Sequence, residues 1–220
     1  MAIEREEVLP QLPHALSALP RVDAGAKRLF DVVVGVVLVV LALPFLAVSA
    51  AAVWLGDGGP VIYRQERVGL GQRTFTIWKF RTMIEGADRM EAAYAGANAA
   101  SGLLFKVADD PRVTPVGRVL RRLSLDELPQ LFNVLRGDMS LVGPRPLPVD
   151  PQAFDPGAQR RHAALPGITG AWQVKRSVTT HYDYDRMIEL DLAYLEHWSL
   201  RGDAWLLVLT IPAVLLRRAA

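Results

Sequence analysis

Residues 32–55, VVVGVVLVVLALPFLAVSAAAVWL, form a run of 24 residues with no charge. An apolar stretch longer than about 18 residues is long enough to enter a bilayer as a helix. Pro44 stands near its centre. It has no N–H and crowds the carbonyl four residues back, so a kink or break is predicted there. Lys27 and Arg28 precede the run, and Arg64 and Arg67 follow it. Basic flanks favour the cytoplasmic side, and here both ends carry them. An ordinary spanning helix that tolerates its proline is the stronger reading of this stretch alone. A re-entrant helix turning at Pro44 fits the flanks, with arms of about 18 Å, half a bilayer. A cleaved signal peptide, with 47–49 as its small-residue site, starts too far from the N-terminus.

The rest of the chain has room for one soluble domain. Without cysteine there are no disulfides, thiolate metal sites or thiol nucleophiles. A net charge of +2 implies no strong field for nucleic acid, so no nucleic-acid partner is expected. Arginine outnumbers lysine 21 to 4, from genomic bias or because a planar fork suits phosphate oxygens. The organisation expected is an N-terminal extension over 1–26, a membrane helix over 27–56, a cytoplasmic catalytic domain over 57–204 and an interfacial helix over 205–220. The last is apolar for only 12 residues and contains Pro212, which is too short to span; Trp205 and Arg217-Arg218 flank it.

Within the domain, 61–68 and 74–83 read as two strands of a hairpin around Gly69-Leu70-Gly71. Period-2 geometry places Phe75, Ile77, Lys79 and Arg81 on one face. The two cations there could bracket a diphosphate or merely guard a solvated edge. The Ala-rich stretch 84–100 reads as an exposed helix. Thr114 is an expected N-cap with Pro115 first in the helix, giving Arg118, Arg121 and Arg122 a basic face. Ser124 and Glu127 match a capping box. Asp126 and Glu127 also lie in or before a first turn, where the helix dipole favours anions. An ionised Asp can attack phosphorus without a base to activate it, and a neighbouring carboxylate can hold Mg²⁺. Residues 136–146 read as a turn and a stiff Pro-Arg-Pro loop around Arg145. Residues 166–170 read as a turn before a short strand at 171–174, and 183–198 as a helix. No P-loop, dinucleotide fingerprint, G-x-S-x-G or histidine metal spacing occurs.

The pieces KRLFD (27–31), VIYRQERVG (61–69), WKFRTM (78–83), DDPR (109–112), SLDELPQ (124–130), LRGDMSLVGPRP (135–146) and PGITGAWQV (166–174) occur in this order. Together they make the chain resemble the bacterial sugar transferases, the monotopic phosphoglycosyl transferases. The resemblance covers about 27–205 and is specific as an ordered set. It implies a helix-rich α+β fold: a Pro-broken re-entrant membrane helix, interfacial amphipathic helices and a small domain with a β-hairpin. It implies a location on the cytoplasmic face of the bacterial inner membrane, in contact with its lipids, and allows a homodimer. The implied reaction moves a sugar-1-phosphate from a UDP-sugar to polyprenyl phosphate, with Mg²⁺ as cofactor and UMP as leaving group. Asp126 matches the nucleophile, and Asp126 and Glu127 match the metal-holding pair. Lys79, Arg81, Arg121 and Arg145 match positions that hold phosphates or shape the site, and Asp203 an acidic position near the C-terminus. Segment 104–112 leans toward glucose or galactose. Two departures stand out. Leu43 replaces the serine that often precedes the proline. Gln173-Val174-Lys175-Arg176 lacks the usual glycine, so Arg176 fills the arginine position only by proximity. The rival readings are a non-catalytic membrane-tethered scaffold and a membrane-attached phosphohydrolase.

Overall fold

A computed structural model describes residues 24–147, 153–176 and 183–215. Most of the 1–26 extension, and Arg217 and Arg218, lie outside these. The architecture is helix-rich α+β, with one long apolar helix and two small sheets.

Helix α1, Ala24–Asp57, runs through Pro44 as one helical element, so the chain does not leave the helix there, which is compatible with the kink that the sequence also predicts. A proline removes a single backbone bond, and apolar neighbours on both sides carry the helix past it. At 34 residues α1 is about 51 Å long by its rise. It is buried along one stripe: Lys27, Asp31, Gly35, Ala42, Ser49 and Val53. Those spacings of four and seven mark a single helix face. The opposite face leaves Val33, Val37, Val40, Leu41, Phe45 and Val48 exposed. Only 17% of its most apolar window is buried, unlike the core helix of a soluble protein. An unpartnered apolar face of this length marks membrane association.

The expected hairpin is present. Strands β1 (Ile62–Val68) and β2 (Thr74–Phe80) pair antiparallel, from Ile62 opposite Phe80 to Val68 opposite Thr74. Arg81 falls just beyond β2, its amide still donating to Val61 O. The outer edge of β2 is closed by one side chain. Asn133, fully buried, donates to Thr76 O (2.8 Å) and accepts from Trp78 N (3.1 Å), replacing a third strand.

Helix α2 (Pro115–Arg122) starts as its sequence predicts, with Thr114 Oγ1 accepting from Gly117 N at 2.9 Å. Val116 and Leu120 pack inward with Phe80 and Val53, whereas Val119 and Leu123 face out. Gly117 lies against the backbone of Thr82; a Cβ there would come closer than 3.0 Å to its carbonyl. Gly117→Ala is therefore expected to cost about 1–3 kcal/mol by overpacking, read as a lower melting temperature in detergent.

A short 3-10 turn, Leu125–Glu127, leads to α3 (Gln130–Arg136). Strand β3 (Ser140–Val142) then pairs in parallel with β4 (Gly167–Thr169). The sequence predicts a turn where β4 lies and a strand at 171–174; the latter stretch is instead helix α5 (Ala171–Arg176). The crossing is tight. A Cβ on Gly167 or Gly170 would strike the Gly143 backbone, so the strand pairs where glycines allow contact. Helices α6 (Tyr184–Glu196, capped by Asp183) and α7 (Leu200–Leu215) complete the fold, with a single turn α4 (Pro156–Gln159) before β4. Helix α7 begins five residues before the expected interfacial segment, and exposes Trp205, Val208 and Ile211.

Residues 84–100 do not form the expected helix. They make successive three-residue turns, with Gly86 at φ 76, and only a 3-10 segment at Glu91–Ala97. No apolar stripe holds an α-helix there. Arg112 organises the loop instead, between the rings of Tyr94 (5.1 Å) and Phe105 (5.5 Å), paired to Asp110 at 2.7 Å.

Candidate active site

The two carboxylates sit in the chain reversal between α2 and α3. Ser124 adopts a left-handed conformation (φ 55, ψ 21) and makes no side-chain cap, so the capping box is not formed. The reversal aims Glu127 at the end of β2. Lys79 Nζ lies 3.0 Å from Glu127 Oε1, and Arg145 Nη2 lies 2.7 Å from the same oxygen. Hairpin, turn and Pro-Arg-Pro loop thus meet at one atom. Arg121 donates to Thr82 Oγ1 at 2.8 Å and bears on Asp126 through its charge.

Burial pushes the Asp126 carboxyl above the usual carboxylate range, and the adjacent Glu127 charge adds to this. Lys79, Arg121 and Arg145 pull it back down. Lys79 is itself lowered by burial, although Glu127 favours its charged form. In the sequence Arg67 stands out only as a basic flank of the apolar run and as part of 61–69. It is held down to about 10, first by burial and then by Arg145. It lies one residue before the end of β1, opposite Phe75.

Of the other expected site residues, Asp203 is built into a different network. The Arg81 guanidinium packs across Gly59. Arg176 closes α5, and its side chain lies outside the described part. Asp203 is not beside the carboxylate pair but fully buried at the start of α7. It is paired with Lys27 at 2.9 Å and accepts from Tyr194 OH (2.8 Å) and Trp198 Nε1 (3.1 Å). Lys27 also meets Asp31 and Ser140, and Asp31 accepts from Leu141 N at 3.1 Å. This network ties α1 to β3 and α7. Lys27→Met would strand two buried carboxylates, an expected loss of about 3–5 kcal/mol visible as a fall in melting temperature.

Among the described residues no three His, Cys, Asp or Glu side chains converge on a metal position. Mg²⁺ does not need such a cage. It takes one or two carboxylates and completes its shell with water and substrate phosphates. The adjacent, partly buried Asp126 and Glu127 fit that mode of binding.

The geometry sets an arginine- and lysine-ringed carboxylate pair beside an apolar membrane face, an arrangement suited to phosphate chemistry at a bilayer surface. Known proteins agree. The profile of a family described as Bacterial sugar transferase matches residues 22–217. Exopolysaccharide production protein ExoY of Sinorhizobium fredii is 38% identical over 214 residues, 95% of this chain and 94% of that protein. UDP-glucose:undecaprenyl-phosphate glucose-1-phosphate transferase of Caulobacter vibrioides is 42% identical, over 90% of this chain and 73% of its own. Undecaprenyl-phosphate galactose phosphotransferase of Salmonella typhimurium is 40% identical over 88% of this chain, which spans only 41% of that protein. Two independent lines, the family profile and near full-length relatives, converge: this chain belongs to the bacterial sugar transferase family.

Proposed function

We propose that this sugar-phosphate transferase moves a sugar-1-phosphate from a UDP-sugar to undecaprenyl or another polyprenyl phosphate, releasing UMP, as the first membrane step of polysaccharide synthesis. The observation that carries this reading is Glu127 Oε1 shared by Lys79 and Arg145, with Asp126 next to it and a membrane face alongside. Relatives named for glucose and galactose transfer to undecaprenyl phosphate support the acceptor and the donor class.

An Asp126 carboxylate oxygen attacks the sugar-bearing phosphorus of the donor. The new O–P bond forms as the phosphoanhydride P–O bond breaks, and UMP leaves with the electron pair. A phosphate oxygen of the polyprenyl phosphate then attacks the same phosphorus. The acyl-phosphate bond breaks, Asp126 is regenerated as a carboxylate, and the sugar leaves on a lipid diphosphate. Lys79, Arg145 and Arg121 hold and neutralise the phosphoryl oxygens. Asp126 and Glu127 would hold Mg²⁺, which when bound draws charge from the diphosphate. The resemblance puts Arg81 and Arg176 among the substrate-binding positions, and Asp203 acts through the network that anchors α1.

We read α1 as re-entrant, with both chain ends on the cytoplasmic side of the inner membrane. Its first half packs on α3, where Arg28 donates to Val134 O and Leu135 O. Its second half packs on the same domain through Val53 and Gly56, against Leu120 and Val116. A helix whose halves both adhere to one cytoplasmic body supports that topology. Tags at the N-terminus and after residue 220 should both report cytoplasm, and opposite sides would exclude it.

Purified protein with a UDP-sugar, Mg²⁺ and undecaprenyl phosphate is expected to release UMP and form lipid-linked sugar diphosphate. Free sugar phosphate produced without any lipid would instead identify a phosphohydrolase.

A further inference from the structure

The loop that presents Arg145 is held at four consecutive carbonyls. Pro144 O accepts from Gly167 N (2.9 Å), and Arg145 O from Arg161 Nη2 (2.7 Å). Pro146 O accepts from Arg67 Nη1 (3.2 Å), and Leu147 O from Val68 N (3.3 Å). Two prolines fix φ in the same stretch. Arg161 bonds the backbone of Arg145, the arginine that pairs with Glu127. It is 2% exposed, and Asp191, 1% exposed, accepts from its Nε (3.1 Å) and Nη2 (2.5 Å).

A buried ion pair is weak evidence of stabilisation, because apolar residues of similar volume often serve as well. Its geometry suggests another purpose. Arg161 Nη2 serves two acceptors at once, the Asp191 carboxylate and the Arg145 carbonyl, from a planar fork that lysine does not offer. The Phe154 ring lies 5.8 Å beneath its guanidinium and restricts its movement. The chain of contacts runs Asp191, Arg161, the Arg145 backbone, the Arg145 guanidinium, Glu127.

We propose that Arg161 and Asp191 are positioning residues that fix the backbone of Arg145 so that its guanidinium meets Glu127 and the transferring phosphoryl group. This rests on the function proposed above. Supporting partners of this kind typically change activity 10–100-fold without touching substrate. They also explain why a site residue flanked by prolines needs a second, buried cation sixteen residues away.

The test is a cycle of variants in the UMP-release assay. R161M/D191L removes both charges and leaves none stranded, so it should fold, with an intact melting transition. Its kcat is expected to fall roughly 10–100-fold with KM little changed. In an R145M background the same double substitution should change kcat by less than about twofold, since its effect passes through Arg145. Equal losses in both backgrounds, or full activity in R161M/D191L, would overturn the proposal. Should that variant not fold, R161K, which keeps the ion pair but not the fork, is read in the same two backgrounds with the same criteria. If the wild type releases no UMP, the functional reading fails on its own, and the positioning claim is read without turnover. Hydrogen exchange of the Arg145 side-chain N–H, followed by ¹⁵N NMR in nanodiscs, should be slow in wild type and fast in the variant; equal rates would refute it.

Discussion

Asp126→Asn should abolish UMP release, by roughly 10⁴-fold or more, while leaving the protein as stable as wild type or more so. The two effects have one cause. Burial and Glu127 raise the Asp126 pKa in the folded state. The stability linked to a raised carboxyl is fully present below the unfolded pKa and is lost as pH rises through the folded value. At neutral pH the ionised carboxylate therefore strains the fold, and the isosteric amide relieves it. The melting temperature of the variant should match wild type at acid pH and exceed it near neutrality. The wild-type activity profile should carry an acid limb displaced above the usual carboxylate range. A variant that melts lower than wild type at neutral pH while keeping its turnover would contradict both halves.

Glu127→Gln should damage both quantities. Lys79 and Arg145 meet on one oxygen of Glu127. Removing that charge leaves two partly buried cations facing each other. The expected cost is about 1–3 kcal/mol of stability, with turnover down roughly 10²–10³-fold. A residue that only capped a helix would cost about 1 kcal/mol and leave turnover intact. Adding Lys79→Met should recover part of the lost stability, because one of the stranded cations is gone, and none of the lost activity. Strictly additive losses in this cycle would show that Glu127 does not couple the two cations.

Local signals in the chain were dependable where one short segment sufficed. The hairpin around Gly69, the Thr114 cap with Pro115, and the helix expected from residue 183 all follow from neighbouring residues. The carboxylate pair and Lys79, Arg121 and Arg145 were singled out by the ordered motifs of the family resemblance rather than by periodicity. Features built from distant residues were not legible. Lys27 finds Asp203 across most of the chain, and Arg161 finds Asp191 thirty residues away. Asp203 entered as a site residue through the family resemblance alone, and its burial against Lys27 is not visible in the sequence. Strands β3 and β4 are three residues each, too short for an alternating pattern to register. The Ala-rich 84–100 segment had helix propensity but no face to bury, and Arg112 from outside the segment fixed its course. At Pro44 the local rule allowed a kink or a break, and the helical assignment continues through it.

The central claim is that Asp126 carries the sugar phosphate between donor and lipid. The direct measurement is intact-protein and peptide mass spectrometry after mixing enzyme, UDP-sugar and Mg²⁺ with no lipid acceptor, alongside the UMP released. A stoichiometric burst of UMP is expected, with one sugar-phosphate mass added to the peptide that contains Asp126 and discharged when undecaprenyl phosphate is supplied. UMP release that begins only when lipid is present, with no mass added to the protein, would contradict it.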